Sequence, residues 1–110
     1  MANTYTIEVT LNTSGSPAVS VNTDSLPVDF GTDTIYWIPT SSQVGEWEFK
    51  SISFSPSGPF GEPNIQANTL SVLDDDDANS TETYSYTLYV KEGNTIYDSD
   101  PFILNEPQGG

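Results

Sequence analysis

Sixteen side chains of this 110-residue sequence are Asp or Glu, two are Lys (Lys50 and Lys91), and none is Arg, His or Cys. That inventory limits the chemistry before any motif is considered. Without His or Cys there is no Ser-His or Cys-His nucleophile, no histidine general base and no zinc site of the usual ligand set. A Ser-Lys pair made from Lys50 with Ser51 or Ser53 needs a lysine of depressed pKa, and sixteen carboxylates push it the other way. The stretch from Gly58 to Gly61 has neither the spacing nor the lysine of a phosphate-binding loop. What remains is carboxylate chemistry, in which two acids held close together share one proton and divide the roles of base and acid.

Two acidic clusters are candidates. Asp74, Asp75, Asp76 and Asp77 invite a calcium reading. Counted from Asp74, however, Asn79 falls where an EF-hand needs Gly and Ser85 where it needs a bidentate Glu. The run is therefore read as a solvated loop that blunts the end of a strand, and no metal or cofactor is expected. The second cluster is Asp98-Ser99-Asp100, followed by Pro101. If Ile96, Phe102 and Leu104 point inward, a strict period of two also points Asp98 and Asp100 inward, where charge is costly. Such a broken local rule marks a functional or a strained site. The competing reading is a bulge at Pro101, which cannot donate to a ladder, with both acids in solvent. The two Cα atoms lie about 6 to 7 Å apart along one strand, so the carboxylates converge only with inward-leaning rotamers. Alternatively, a second chain at a symmetry axis supplies the missing partner.

These residues have to be positioned by strands. Tyr5, Ile7, Val9 and Leu11 alternate with Thr6, Glu8 and Thr10, the period of a half-buried strand. Residues 12–17 form a turn cluster, Val19 and Val21 open a second strand, and a third short piece runs from Val28 to Phe30. Ile35, Tyr36, Trp37 and Ile38 make an apolar run closed by Pro39, as in a central strand. The apolar phase slips from Trp47 and Phe49 to Ile52 and Phe54, which predicts a bulge or bend near Lys50 and Ser51. Residues 55–63 read as a loop, and Leu70 and Val72 as a short strand ahead of the acidic run. Tyr84, Tyr86, Leu88 and Val90 alternate with Ser85, Thr87 and Tyr89. Glu92, Gly93 and Asn94 then turn the chain into a partner strand from Thr95 to Leu104, forming a hairpin. Residues 108–110 read as a frayed tail.

With 14 Ser, 13 Thr, 6 Tyr and 8 Pro, and few helix-favouring stretches, the composition agrees with strands. The chain has room for one hydrophobic core, so residues 1–110 are expected to form a single domain. The fold expected is all-β: an immunoglobulin-like sandwich of about seven to eight antiparallel strands without a disulfide, with Trp37 on a central strand and Tyr84 at the place of a tyrosine corner. A net charge of -14 repels DNA, RNA and anionic membranes, so none of these is expected as a partner. No window holds 18 consecutive apolar residues and the N-terminus lacks a secretory pattern, which makes the cytoplasm the expected location.

The segment Asp98-Ser99-Asp100-Pro101-Phe102-Ile103-Leu104-Asn105-Glu106-Pro107 resembles the signature of the small bacterial DP-EP family, named for an Asp-Pro and a Glu-Pro element. Asp100-Pro101 and Glu106-Pro107 match the two in order. The resemblance implies a compact β-sandwich and a carboxylate-based, aspartic-type peptidase activity, with Asp100 and Glu106 as the first residues to suspect and Asp98 as the local addition. The Asp-Ser or Asp-Thr pairs at Asp24, Asp33 and Asp98 lack the Gly that follows in pepsin-like and retroviral enzymes. The lead expectation is a homo-oligomeric, self-cleaving peptidase that acts on peptide substrates. The alternative is a non-catalytic interaction or ligand-binding module in which Trp47, Tyr89 or Tyr97 stacks on a partner. A third reading is an isopeptide bond between Lys50 or Lys91 and an Asn beside an acid.

Overall fold

The computed structural model describes residues 3–15, 18–55, 58–66, 68–77 and 80–106. Alternating apolar residues fold them into two mixed β-sheets packed as a sandwich. The strands are β1 (Thr4–Leu11), β2 (Val19–Val21), β3 (Ser25–Val28), β4 (Gly31–Pro39), β5 (Glu48–Ser55), β6 (Asn64–Gln66), β7 (Thr69–Asp76), β8 (Glu82–Glu92), β9 (Thr95–Ser99) and β10 (Phe102–Asn105). One 3-10 turn, Ser41–Gln43, follows β4. The first sheet has the order β2-β1-β4-β7-β6 and the second β3-β10-β8-β5, with β9 beside the far half of β8.

Two features depart from the expected antiparallel sandwich. β1 runs parallel to β4, and β3 runs parallel to β10. After β1 the chain makes β2, crosses to the second sheet as β3 and only then returns beside β1, and a connection of that length is what a parallel pair requires. Ten strand segments are present among the described residues, several of them only three or four residues long. The third strand ends at Val28 rather than beginning there, and Pro27 lies within it at a sheet edge, where a missing N–H is tolerated. The tail at residues 108–110 lies outside the described residues.

The core lies where the inward residues of both sheets meet. Ile7, Val9, Ile35, Trp37, Leu70 and Val72 come from the first sheet, and Phe49, Tyr86, Leu88, Val90 and Ile103 from the second. Trp37 and Tyr86 tie the layers together: the indole Nε1–H donates to the Tyr86 hydroxyl at 3.1 Å, and the rings meet edge to face at 5.4 Å. Burying two such rings with their polar atoms paired is favourable on both counts.

In β5, Phe49 pairs with Val90 and Ser51 with Tyr89, which leaves Lys50 as the extra residue of a bulge. The slip of phase in the sequence is thereby explained: Phe49 before the bulge and Ile52 after it both face the core. The β8–β9 hairpin closes with Glu92 opposite Thr95, so the turn has two residues, with Gly93 at φ +61°. Gly at the first position of a two-residue hairpin loop suits the right-handed twist of the flanking strands.

Candidate functional site

β9 and β10 follow one register along β8. Leu88 faces Ser99 ahead of Pro101, Phe102 faces Ser85 beyond it, and the Tyr86 N–H donates to the Pro101 carbonyl at 3.0 Å. No bulge intervenes. The inward residues of β8 are Tyr84, Tyr86, Leu88 and Val90, and their partners on the other strand are the odd-numbered residues. Pro101, Ile103 and Asn105 are accordingly buried, whereas Ile96, Asp98, Asp100 and Phe102 point into solvent. Both sequence readings of this segment are thereby corrected. The premise that Ile96, Phe102 and Leu104 point inward fails, Leu104 being the partner of outward Thr83, and the two acids reach solvent by ordinary alternation rather than through a bulge.

Asp98 stands opposite Tyr89, and Asp100 accepts a hydrogen bond from Thr87 Oγ1 at 2.6 Å. Glu106 is half-exposed beyond the end of β10, and its N–H donates to the Val28 carbonyl at 2.9 Å. Asp100 and Glu106 are about 20 Å apart along extended chain. Within one chain, then, Asp98 and Asp100 are neighbours on an open face and Glu106 is remote. That outer face of the second sheet also carries Ser51, Ser53 and Ser55 of β5 and Thr83, Ser85, Thr87, Tyr89 and Lys91 of β8. Of the aromatic candidates, Tyr89 belongs to this face. Tyr97 pairs with core residue Val90 on the inner side, and Trp47 is buried, with Nε1–H donating to Gln43 Oε1 at 2.9 Å.

The structure assembles a different acidic site. Asp74 and Asp76 are 0% and 2% exposed, and Asp33 is 1% exposed. β7 continues through Asp76, so the period that buries Leu70 and Val72 also buries Asp74 and Asp76, while Asp75 and Asp77 are exposed. The expectation of a wholly solvated loop is corrected by that continuation. The signal was the unbroken even phase from Leu70 onward. Asp33 is the register partner of Asp74 on β4, so their side chains leave the sheet on the same inner face with Cβ atoms about 4.5 to 5.5 Å apart. From the opposite sheet, buried Asn105 donates through Nδ2 to Asp74 Oδ1 at 2.9 Å. Asp33 Oδ1 accepts from the Asn3 N–H at 2.7 Å.

One oxygen of each side chain (Asp33 Oδ2, Asp74 Oδ2 and Asn105 Oδ1) has no hydrogen-bond partner among the described residues. Burial pushes the Asp74 carboxyl up to about 7. The Asn105 hydrogen bond opposes that rise, and the charges of Asp76, Asp33 and Asp75 add to it. The pair can thus hold a proton at a pH where ordinary carboxylates have none. Among the described residues no three acidic side chains converge so as to hold a metal ion. Neither lysine accompanies Asn105: Asn105 lies where β7 and β10 finish, Lys50 is exposed in β5 near Tyr89, and Lys91 lies at the other end of β8. No protein-family model matches this chain, and no curated protein matches it.

Proposed function

We propose that the chain is a non-catalytic binding module whose partner docks on the outer face of the second sheet. The observation that carries this reading is the position of Asp98 and Asp100, which project into solvent between Ile96 and Phe102, with Asp98 opposite Tyr89. Carboxylates, apolar surface and aromatic rings are there offered side by side. The field of sixteen acids against two lysines attracts cations. The matching partner is a protein segment that carries Arg or Lys next to apolar side chains: Ile96 and Phe102 cover the apolar part, Asp98 and Asp100 take the charge, and the Tyr89 ring stacks on a guanidinium. Reading the sandwich as immunoglobulin-like belongs to the same proposal, on the strength of Trp37 buried between two sheets. So does membership of the DP-EP family, for which Asp100-Pro101 and Glu106-Pro107 speak.

A titration of labelled protein with a short peptide of alternating Arg and Leu, followed by amide shifts, tests the docking face. Shifts should concentrate at Tyr89, Asp98, Asp100 and Phe102, and the double variant Asp98→Asn, Asp100→Asn should bind roughly tenfold more weakly at low salt. Shifts spread over all acidic surfaces and unchanged in the double variant would defeat the proposal.

Carboxylate catalysis of the aspartic-peptidase kind is the second reading, and the facing pair Asp33 and Asp74 favours it. Two adjacent acids sharing one proton are what such chemistry requires. Because both are sealed between the sheets, the end of the sandwich has to open before a substrate enters. Catalysis at Asp98, Asp100 and Glu106 instead needs a second chain to bring a partner carboxylate to the exposed face.

A further inference from the structure

Lys91 is one of only two cationic side chains in the sequence. It lies near the end of β8 as the register partner of Glu48, at the end of the sandwich opposite the buried acids. Together with Glu46 and Glu48 it lines an open cavity of about 300 Å³. Among the described residues no salt bridge joins Lys91 to either carboxylate. The cavity therefore presents one ammonium and two carboxylates that are not committed to each other. Its walls are bare at two points, Gly45 at φ +87° and Gly93 at φ +61°, where an added Cβ would meet nothing within 4 Å. Trp47 and, from the turn between β6 and β7, Asn68 complete the lining. Loop ends of a sandwich are common places for ligands, and a volume at the low end of the usual range, on the order of 300 to 1,000 Å³, suits one small molecule rather than a folded partner.

The charges select the class of that molecule. A ligand that matches the lining carries one anionic and two cationic groups, and the acidic surroundings favour such a net cation. We propose that this cavity binds a basic amino acid, with its carboxylate on Lys91 and its two cationic groups on Glu46 and Glu48. This site borders the docking face, since Lys91 is the register partner of Ile96, but its probes and reporter residues are different, so its success or failure is read separately from that proposal.

The test is an amide-shift titration at about 0.1 M salt, where diffuse attraction to the acidic surface is screened. Three probes are compared: L-lysine, 1,5-diaminopentane, which keeps both ammonium groups and lacks the carboxylate, and acetate, which has the carboxylate alone. L-Lysine should move the Gly45 and Gly93 amides and the Trp47 indole while leaving the Trp37 indole in place. It should bind roughly five- to tenfold more tightly than 1,5-diaminopentane, the size of one partly exposed charge-assisted contact. Acetate should not saturate. In Lys91→Gln the preference of lysine over the diamine should vanish, and Glu46→Gln with Glu48→Gln should weaken both. Equal affinities of the unaltered protein for lysine and diamine, or lysine shifts that bypass Gly45 and Gly93, would overturn the proposal.

Discussion

At the scale of single residues, the Asp74 carboxyl is the group whose protonation matters most to the fold. Burial raises it from 3.8 to about 7 in the folded chain, so between those values the native state holds a proton that the unfolded chain releases. Its contribution to stability is fully present below pH 4 and is lost as pH rises towards 7, with a loss on the order of 4 kcal/mol. Asp74→Asn keeps an acceptor for Asn105 Nδ2 and adds N–H donors on the side of Asp33 Oδ2 and Asn105 Oδ1, both without a partner among the described residues. Urea unfolding should find this variant more stable than the parent by about 4 kcal/mol at pH 8 and nearly equal to it at pH 4. A variant less stable at pH 8 would contradict the assignment. The same protein bears on catalysis. If Asp33 and Asp74 act as a dyad, incubation at about pH 3 to 5 should cut the parent roughly 100-fold faster than Asp74→Asn at bonds other than the acid-labile Asp100-Pro101. Equal rates by mass spectrometry remove the catalytic reading.

At the scale of strands, the second sheet ends at β5, and β5 is interrupted by Lys50 in its bulge. A charged bulge on an edge discourages pairing with another chain. Deleting Lys50 leaves Phe49, Ser51, Ile52, Ser53 and Phe54 in strict alternation with Phe49, Ile52 and Phe54 still inward. The deletion variant should therefore fold, with unchanged circular dichroism, yet associate at lower concentration in sedimentation than the parent. Loss of fold would show that the bulge serves the core rather than the edge. The bulge itself was legible in the sequence, as were the hairpin and the core set from Ile7 to Val90, because each rests on local alternation. The orientation of Asp98 was not, and the reason is one residue. A three-residue turn at Glu92, Gly93 and Asn94 would put Lys91 opposite Thr95 and carry Asp98 and Asp100 to the inner face. The observed two-residue turn pairs Glu92 with Thr95 and reverses every side chain beyond it. The buried pair was hidden for another reason: Asp74 and Asp76 continue the phase of Leu70 and Val72, and an Asp run is ordinarily solvated. Asp33 becomes their neighbour only through the register of β4 on β7, which no local pattern specifies.

At the scale of the whole molecule, a charge of -14 on 110 residues sets the terms of association. Open strand edges and exposed Ile96 and Phe102 favour contact between copies, while like charge opposes it at neutral pH and low ionic strength. We expect homo-oligomers to strengthen as salt is added or as pH falls towards the sequence pI of about 4.1. Light scattering that reports a monomer across that whole range would exclude self-assembly and, with it, any site shared between chains. The parallel pairing of β3 with β10 has a further consequence, one of time. Residues 25–28 align with residues 102–105, so more than seventy further residues must be made before the earlier strand finds its neighbour. On a ribosome, Leu26 and Val28 wait without a neighbouring strand until Ile103 emerges. Contacts of such long sequence separation form slowly, so the sandwich is closed by one of its earliest strands meeting its last.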